Sequence, residues 1–239
     1  RSSDLILAFD TSNQPLTVSL AEDNNVRRVF TTNEARNHSI QLLPAIETTL
    51  AEQQWALSDI DRIVVAQGPG SFTGLRIGVT VAKMLANTLQ AELVGVSSLA
   101  VLAAQVTNPG LVVPLFNARN NNVFAGVYLN DSAVLADAHQ PIDHLVTWLQ
   151  TRDEPITFVG ETTEFVPTLQ AAFGDQATIL TPADSLPDGH GIVALGLKAQ
   201  PVADVAHFNP NYLRKTQAEL NWLAAHPGED NPENYVFEV

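Results

Sequence analysis

Arg62-Ile63-Val64-Val65-Ala66-Gln67-Gly68-Pro69-Gly70-Ser71-Phe72-Thr73-Gly74 begins as an apolar strand and breaks into a glycine-rich turn. Arg62–Ala66 has the continuous apolar character of a strand buried on both faces. From Thr73 to about Leu89 the apolar residues recur at helical spacing, with no proline to interrupt them. Strand, glycine turn and helix in that order make one α/β unit.

Working outward, Leu5–Phe9 is another apolar strand and ends in Asp10-Thr11-Ser12. Leu16–Ala21 and Val26–Thr31 alternate as strands, separated by Asn- and Asp-containing turns. A helix over about Ser39–Gln53 carries Leu42, Leu43, Ile46 and Leu50 on one face. Leu93–Val96 is a short strand, and Ser97-Ser98 caps a helix over Leu99–Val106. The order then repeats. Leu111–Phe116 is an apolar strand ending in Asn117-Ala118-Arg119, followed by strands Val123–Leu129 and Ala133–Ala136. Helix Pro141–Leu149, strand Ile156–Val159 ending in Gly160, helix Glu164–Phe173 and strand Ala177–Leu180 complete the second set. This duplication predicts a two-lobe α/β fold of the actin/hexokinase kind, with mixed sheets flanked by helices. The lobes are expected over residues 1–106, with added packing from a C-terminal helix, and 107–239. Further on, helices are expected at His190–Ala199 and Gln217–Ala225, with an extended piece at Phe208–Leu213 between them.

The chain has 239 residues, 45% of them hydrophobic, which suffices for a core. No apolar run reaches the roughly 18 residues of a membrane span. The opening Arg1-Ser2-Ser3-Asp4 leads straight into the first strand and does not read as a signal peptide. The expectation is a soluble cytoplasmic protein without membrane contact. Zero cysteines exclude disulfides, thiolate catalysis and cysteine-ligated zinc. Twenty-six acidic residues against twelve basic ones give a net charge of −14. A nucleic-acid binder needs clustered Lys and Arg. Here such a face could come only from Arg27, Arg28, Arg36, Arg62, Arg76, Lys83 and Arg119, or from Arg214-Lys215.

The Gly68–Gly74 turn admits two readings. Glycines let the backbone approach a ligand closely, and a helix N-terminus attracts anions, so Gly68, Gly70 and Ser71 could face a phosphate. The same residues also suit a tight strand-to-helix connection that binds nothing. No Lys follows the last Gly, which excludes a Walker loop. Asp10, Thr11 and Ser12 stand where a phosphate turn or a metal-water carboxylate would sit, and equally where an Asx-turn would form. Asn117 is the matching position of the second half. The six histidines show no H-x-x-x-H or H-E-x-x-H spacing, so no metal site is expected. No G-x-S-x-G elbow is present.

The Thr73–Leu89 helix is apolar on two sides: Leu75, Val79, Ala82, Ala86 and Leu89 form one stripe, Ile77, Val81, Met84 and Thr88 another. One stripe suffices to cover a sheet. The other needs a neighbour, either the Ser39–Gln53 helix or a partner protein.

Phe9-Asp10-Thr11-Ser12, His38 with Leu43-Pro44, and above all Gly68-Pro69-Gly70-Ser71-Phe72-Thr73-Gly74-Leu75-Arg76-Ile77-Gly78 strongly resemble the TsaB (YeaZ) family. Ala82-Lys83, Gly95-Val96-Ser97-Ser98-Leu99, Asn117-Ala118-Arg119, Pro210-Asn211-Tyr212-Leu213-Arg214 and Ala218-Glu219 fit it too. Val123–Leu197 matches only in pattern. The resemblance implies an actin-like fold and a non-catalytic scaffold in the synthesis of tRNA threonylcarbamoyladenosine, beside the anticodon. It implies a TsaD-like catalytic partner that holds the metal, a TsaE-like ATPase, and a homodimer in isolation. It implies that tRNA is held mainly by the partner. No cofactor is expected on this chain alone, with ATP and magnesium expected, if anywhere, at the interface of the complex. Pairing is expected through the N-terminal-lobe helices, with Ile40, Pro44, Leu75, Arg76, Val79 and Lys83 at the contact. Asn117 replaces a frequent Asp, and Asn120 a commonly basic residue, which weakens the case for independent nucleotide hydrolysis. The alternatives are an ATP-binding or ATP-hydrolysing actin-like enzyme and a glycoprotease-like metallopeptidase.

Overall fold

Leu5–Asp10, strand β1, sends alternate side chains to opposite faces of one sheet. Leu5, Leu7 and Phe9 enter one core cluster, whereas Ile6 and Ala8 enter another. Strand β4, Arg62–Gly68, divides in the same way, Ile63 and Val65 to one side, Val64 and Ala66 to the other. Both strands are therefore covered on both faces, which is why they read as continuous apolar runs. The computed structural model describes residues 3–33, 37–187 and 189–214.

The first sheet also contains β2 (Leu16–Glu22), β3 (Asn25–Thr32) and β5 (Glu92–Ser97), in the order β3-β2-β1-β4-β5. β1 pairs antiparallel with β2 and parallel with β4. Helices α1 (His38–Glu52) and α2 (Phe72–Leu89) cover its outer face through Leu42, Ile46, Val79 and Ala82. The second sheet comprises β6 (Leu111–Arg119), β7 (Asn122–Leu129), β8 (Ser132–Pro141), β9 (Ile156–Gly160) and β10 (Ala177–Ile179). Its order, β10-β9-β6-β7-β8, is the first sheet's order read from the opposite edge. Helices α4 (Ile142–Leu149) and α5 (Val166–Phe173) cover its outer face. The duplicated, actin-like fold expected from the sequence is present.

Helix α3 (Ser98–Ala104) lies between the sheets. Val101 packs with the first sheet's inner residues, whereas Leu99, Leu102 and Ala103 pack with Val112, Phe116 and Val159 of the second. Ser97 caps α3, accepting from the Ala100 amide at 3.1 Å. The same hydroxyl donates to Asp137 Oδ2 at 2.5 Å, and Tyr128 donates to Asp137 Oδ1 at 2.6 Å. This triad ties the two lobes together, and burial pushes the Tyr128 phenol well above its ordinary range.

Helix α6 (His190–Lys198) follows the second sheet in sequence but packs on the first, through Ile192 and Val193. The chain after it stays with the first lobe. Val202 donates to Leu93 O and Asn211 to Gln67 O, each at 2.7 Å, while Phe208 joins the outer core. Residues 202–214 form a strap rather than a strand, because only isolated amides pair.

Three element expectations need correction. The third strand of the second lobe spans Ser132–Pro141, not Ala133–Ala136, because pairing with β7 overrides its weak alternation. The expected Glu164–Phe173 helix splits into a tight turn at Thr163–Phe165 and an α-helix from Val166, with Pro167 in the first turn. The helix after Ser97 does not reach Val106. The Gln217–Ala225 helix, Arg36, Lys215 and Ala218-Glu219 lie outside the described residues.

Candidate functional site

The two lobes end their central strands in matching turns. Asp10 Oδ1 accepts from the Ser12 amide at 2.7 Å, and Asn117 Oδ1 accepts from the Arg119 amide at 2.8 Å. Both are Asx-turns, in which a side-chain oxygen bonds the backbone two residues on. The adjoining parallel strands match as well: the Gly68 amide donates to Ser98 Oγ and the Gly160 amide to Ser185 Oγ, each at 3.1 Å. Asn117 is thus the counterpart of Asp10. It is further held by Glu164, which accepts from its side-chain amide, and by Glu161, which accepts from its backbone amide at 2.7 Å.

Between the turns lies a cleft of about 230 Å3, with Asp10, Gln14 and Asn33 on one wall and Phe116, Glu161 and Ser185 on the other. That is below the roughly 300–1,000 Å3 of an ordinary small-molecule site. The glycine turn meets protein there. A Cβ on Gly70 would stand 2.2 Å from Ser12 O, and one on Gly74 would stand 2.0 Å from Thr11 O. The Ser71 amide donates to Ser12 O at 2.6 Å, the Thr11 hydroxyl donates to Gly74 O at 2.8 Å, and Ser71 Oγ caps α2. The amides of Ser71 and Gly74 are therefore spent on the Asp10–Ser12 turn and on the cap. Of the two readings of this turn, the tight connection accounts for each contact it makes.

Asp10 is buried, and burial pushes its carboxyl above the ordinary range, against the opposing pull of Ser12 and His38. With the folded pKa raised, the native state gives up its proton less readily than the unfolded chain. Stability is full below the unfolded pKa near 3.8 and falls as pH rises through the folded value. Asp10→Asn keeps the Oδ1 acceptor and copies Asn117. It is expected to raise the urea midpoint at pH 7 and to match wild type at pH 3. An Asp10→Asn variant less stable than wild type at pH 7 would contradict this account.

The expected contact residues separate into three groups. Ile40 is 68% exposed, and Pro44 is exposed on the same helix beside Leu43 at 47%. Met84 of α2 is 48% exposed. Leu75 and Val79, by contrast, are buried, and Val79 lies in the core against the first sheet. Their assignment to a contact surface is corrected: they form the stripe that covers the sheet. The other stripe, Ile77 and Val81, is half-buried in the same cluster as Leu42 and Ala45 of α1. Arg76 and Lys83 lie on α2's opposite flank and hold the strap. Arg76 Nε donates to Tyr212 Oη at 3.1 Å, and Lys83 donates to Ala206 O at 2.6 Å.

Comparison with known proteins places this architecture. A Bacillus subtilis protein named tRNA threonylcarbamoyladenosine biosynthesis protein TsaB is 36% identical over 224 residues, which cover 91% of this chain and 97% of that protein. The chain belongs to the TsaB family. The Escherichia coli TsaB protein is 33% identical over 129 residues, 53% of this chain and 55% of its own length. The family model described as TsaD, tRNA N6-adenosine threonylcarbamoyltransferase, matches residues 29–222. A Pseudomonas aeruginosa crystal structure described as similar to peptidase YeaZ superposes with a TM-score of 0.72 at 27% identity, covering 88% of this chain and all of that one.

Within this TsaB-family chain, sequence reasoning placed Leu43 on the inward face of α1, although it is exposed. It left Met84 open between an intramolecular neighbour and a partner, and gave the strap only as an extended piece without its anchors. Met84 lies in the stripe already expected to need a neighbour, and Pro210–Arg214 had already stood out as a motif. Among the described residues, no group of three His, Asp or Glu side chains could hold a metal ion. No described helix is long and apolar enough to cross a membrane.

Proposed function

We propose that this chain is a non-catalytic subunit in the synthesis of tRNA threonylcarbamoyladenosine, acting by pairing with a TsaD-like catalytic protein in the cytoplasm. The observation that carries the reading is the exposed apolar group Ile40, Leu43, Pro44 and Met84 on the outer helices. Water-exposed side chains of that size, gathered on adjoining helices, mark an interaction surface. The glycine turn adds weight from the other side, since the amides of Gly68, Ser71 and Gly74 bond within the fold. The same helix surface pairs two copies when the partner is absent. A TsaE-like ATPase joins the assembly, tRNA is held mainly by the catalytic partner, and any ATP and magnesium sit at the shared interface.

The test is light scattering coupled to size-exclusion chromatography, on the chain alone and mixed with its TsaD-like partner. Wild type is expected to give a one-to-one complex. Ile40→Glu combined with Leu43→Glu is expected to weaken it by about 100-fold or more, as for buried anchor residues, with the monomer's unfolding midpoint unchanged. A complex that survives this double variant, or ATP hydrolysis by the isolated chain, would sink the reading. Val79→Glu is no substitute, because a charge there enters the core.

A further inference from the structure

Arg27, Arg28, Arg62 and Lys198 each pair with a carboxylate: Glu22, Glu52, Glu92 and Asp131. Arg152 lies over the Trp148 ring in the second lobe. Arg76, Lys83, Arg119 and Arg214 have no ion pair among the described residues, and all four gather along the strap. Lys83 bonds its residue 206 and Arg76 its residue 212. Arg214 donates to Ala118 O at 3.1 Å, next to Arg119. Two aromatic rings stand in the same row. Phe72 and Tyr212 stack with centroids 4.6 Å apart, each more than a third exposed, and the Arg76 guanidinium lies 4.1 Å over the Phe72 ring.

We infer that this strip, Phe72, Arg76, Lys83, Tyr212, Arg214 and Arg119, is a direct contact for the backbone and an unpaired base of tRNA. The inference rests on the proposed role in tRNA modification and adds a second, separate surface to it. Positions 72, 76 and 83 lie on one flank of α2, away from Met84 and the α1 side. A chain of net charge −14 can still present a locally positive strip, because charges more than about 10 Å away are screened. Asp204 bonds His207, while Glu161 and Glu164 bond Asn117, so none of these three carboxylates pairs with a cation of the strip. From residue 206 to 214 an extended chain reaches at most roughly 26 Å, room for roughly eight phosphates at duplex spacing along one strand. Phe72 is covered by Tyr212 and by Arg76, so the outward side of Tyr212, 38% exposed, is the platform on which an unstacked base would rest. An acidic protein segment would need the cations but would leave the exposed rings without a role.

The test is fluorescence anisotropy with a labelled tRNA transcript between 50 and 200 mM salt, using the full chain alone and bound to its TsaD-like partner. Arg76→Gln combined with Arg214→Gln removes two charges and keeps hydrogen-bonding capacity. It is expected to weaken tRNA binding about tenfold or more at low salt and to lower the log–log salt slope by about 1.5. Tyr212→Leu is expected to weaken binding with the slope unchanged. Arg28→Gln, a paired cation on β3, is expected to change neither. Wild-type affinity and slope in the double variant would overturn the inference, and so would a wild type that binds no tRNA in either form. A double variant that loses the TsaD-like partner while binding tRNA normally would make the strip a protein contact, and would also overturn it. Complex formation is read on the same variants without RNA, by light scattering coupled to size-exclusion chromatography, so failure of the pairing role shows separately.

Discussion

Gly74→Val is expected to remove most or all of the folded population. The added Cβ would stand 2.0 Å from Thr11 O, a buried backbone atom inside the Asp10–Ser12 turn, where the Thr11 hydroxyl already donates to Gly74 O. Helix propensity alone would favour the change, since glycine costs a helix about 1 kcal/mol relative to alanine. That gain is small beside the displacement of the first turn of α2 from the turn that follows β1. A loss of at least about 4 kcal/mol is expected, against the roughly 5–15 kcal/mol of a typical domain. Gly174→Ala is the control: its Cβ meets nothing within 4 Å and carries only the backbone strain of φ +48° with ψ −126°, about 1–3 kcal/mol. Urea unfolding followed by circular dichroism separates the two. Equal midpoints for Gly74→Val and wild type would mean that the turn does not seat against Thr11.

Phe208→Ala carries the second large effect. Phe208 is buried in the outer core of the first sheet and sits over Gly95, where a Cβ would lie 2.6 Å from the ring. Truncating a buried phenylalanine costs about 3–5 kcal/mol. Here it also releases the segment between the Val202 and Asn211 backbone bonds. The expected result is a lower unfolding midpoint together with rapid protease cleavage after residue 200. Tyr212→Phe, which removes only the bond to Arg76, should cost about 0.5–1.5 kcal/mol. If Phe208→Ala cost no more than Tyr212→Phe, the strap would not be an anchored element.

The duplication was legible because β1, β4, β6 and β9 are covered on both faces, and their apolar runs stop at turns of similar chemistry. The pairing of Asp10 with Asn117 was legible for the same reason. The role of the glycine turn was not. Close approach to a phosphate and close approach to another backbone both require a missing Cβ, and the outcome depends on what stands opposite, here Thr11 and Ser12. Leu75 and Val79 were misplaced because α2 carries two apolar stripes, and spacing cannot say which one faces the sheet. The strap was legible only as an extended piece because it forms no regular element: its anchors are the Phe208 ring, two amides and the side chains of Arg76, Lys83 and Arg214, all meeting partners far away in sequence.

The first sheet's coverage has a consequence for the order of synthesis. Its five strands are made within the first hundred residues, yet two of its covering pieces, α6 and Phe208, come from residues 190–208. A ribosome that has finished β10 has made both sheets, while the face of Ile6, Ala8, Val64 and Ala66 still lacks Ile192 and Val193. Domains usually fold as units in the order they emerge. This chain reverses that order, since the lobe begun first is closed last. Among the described residues, the last to leave the ribosome are those that carry the strap.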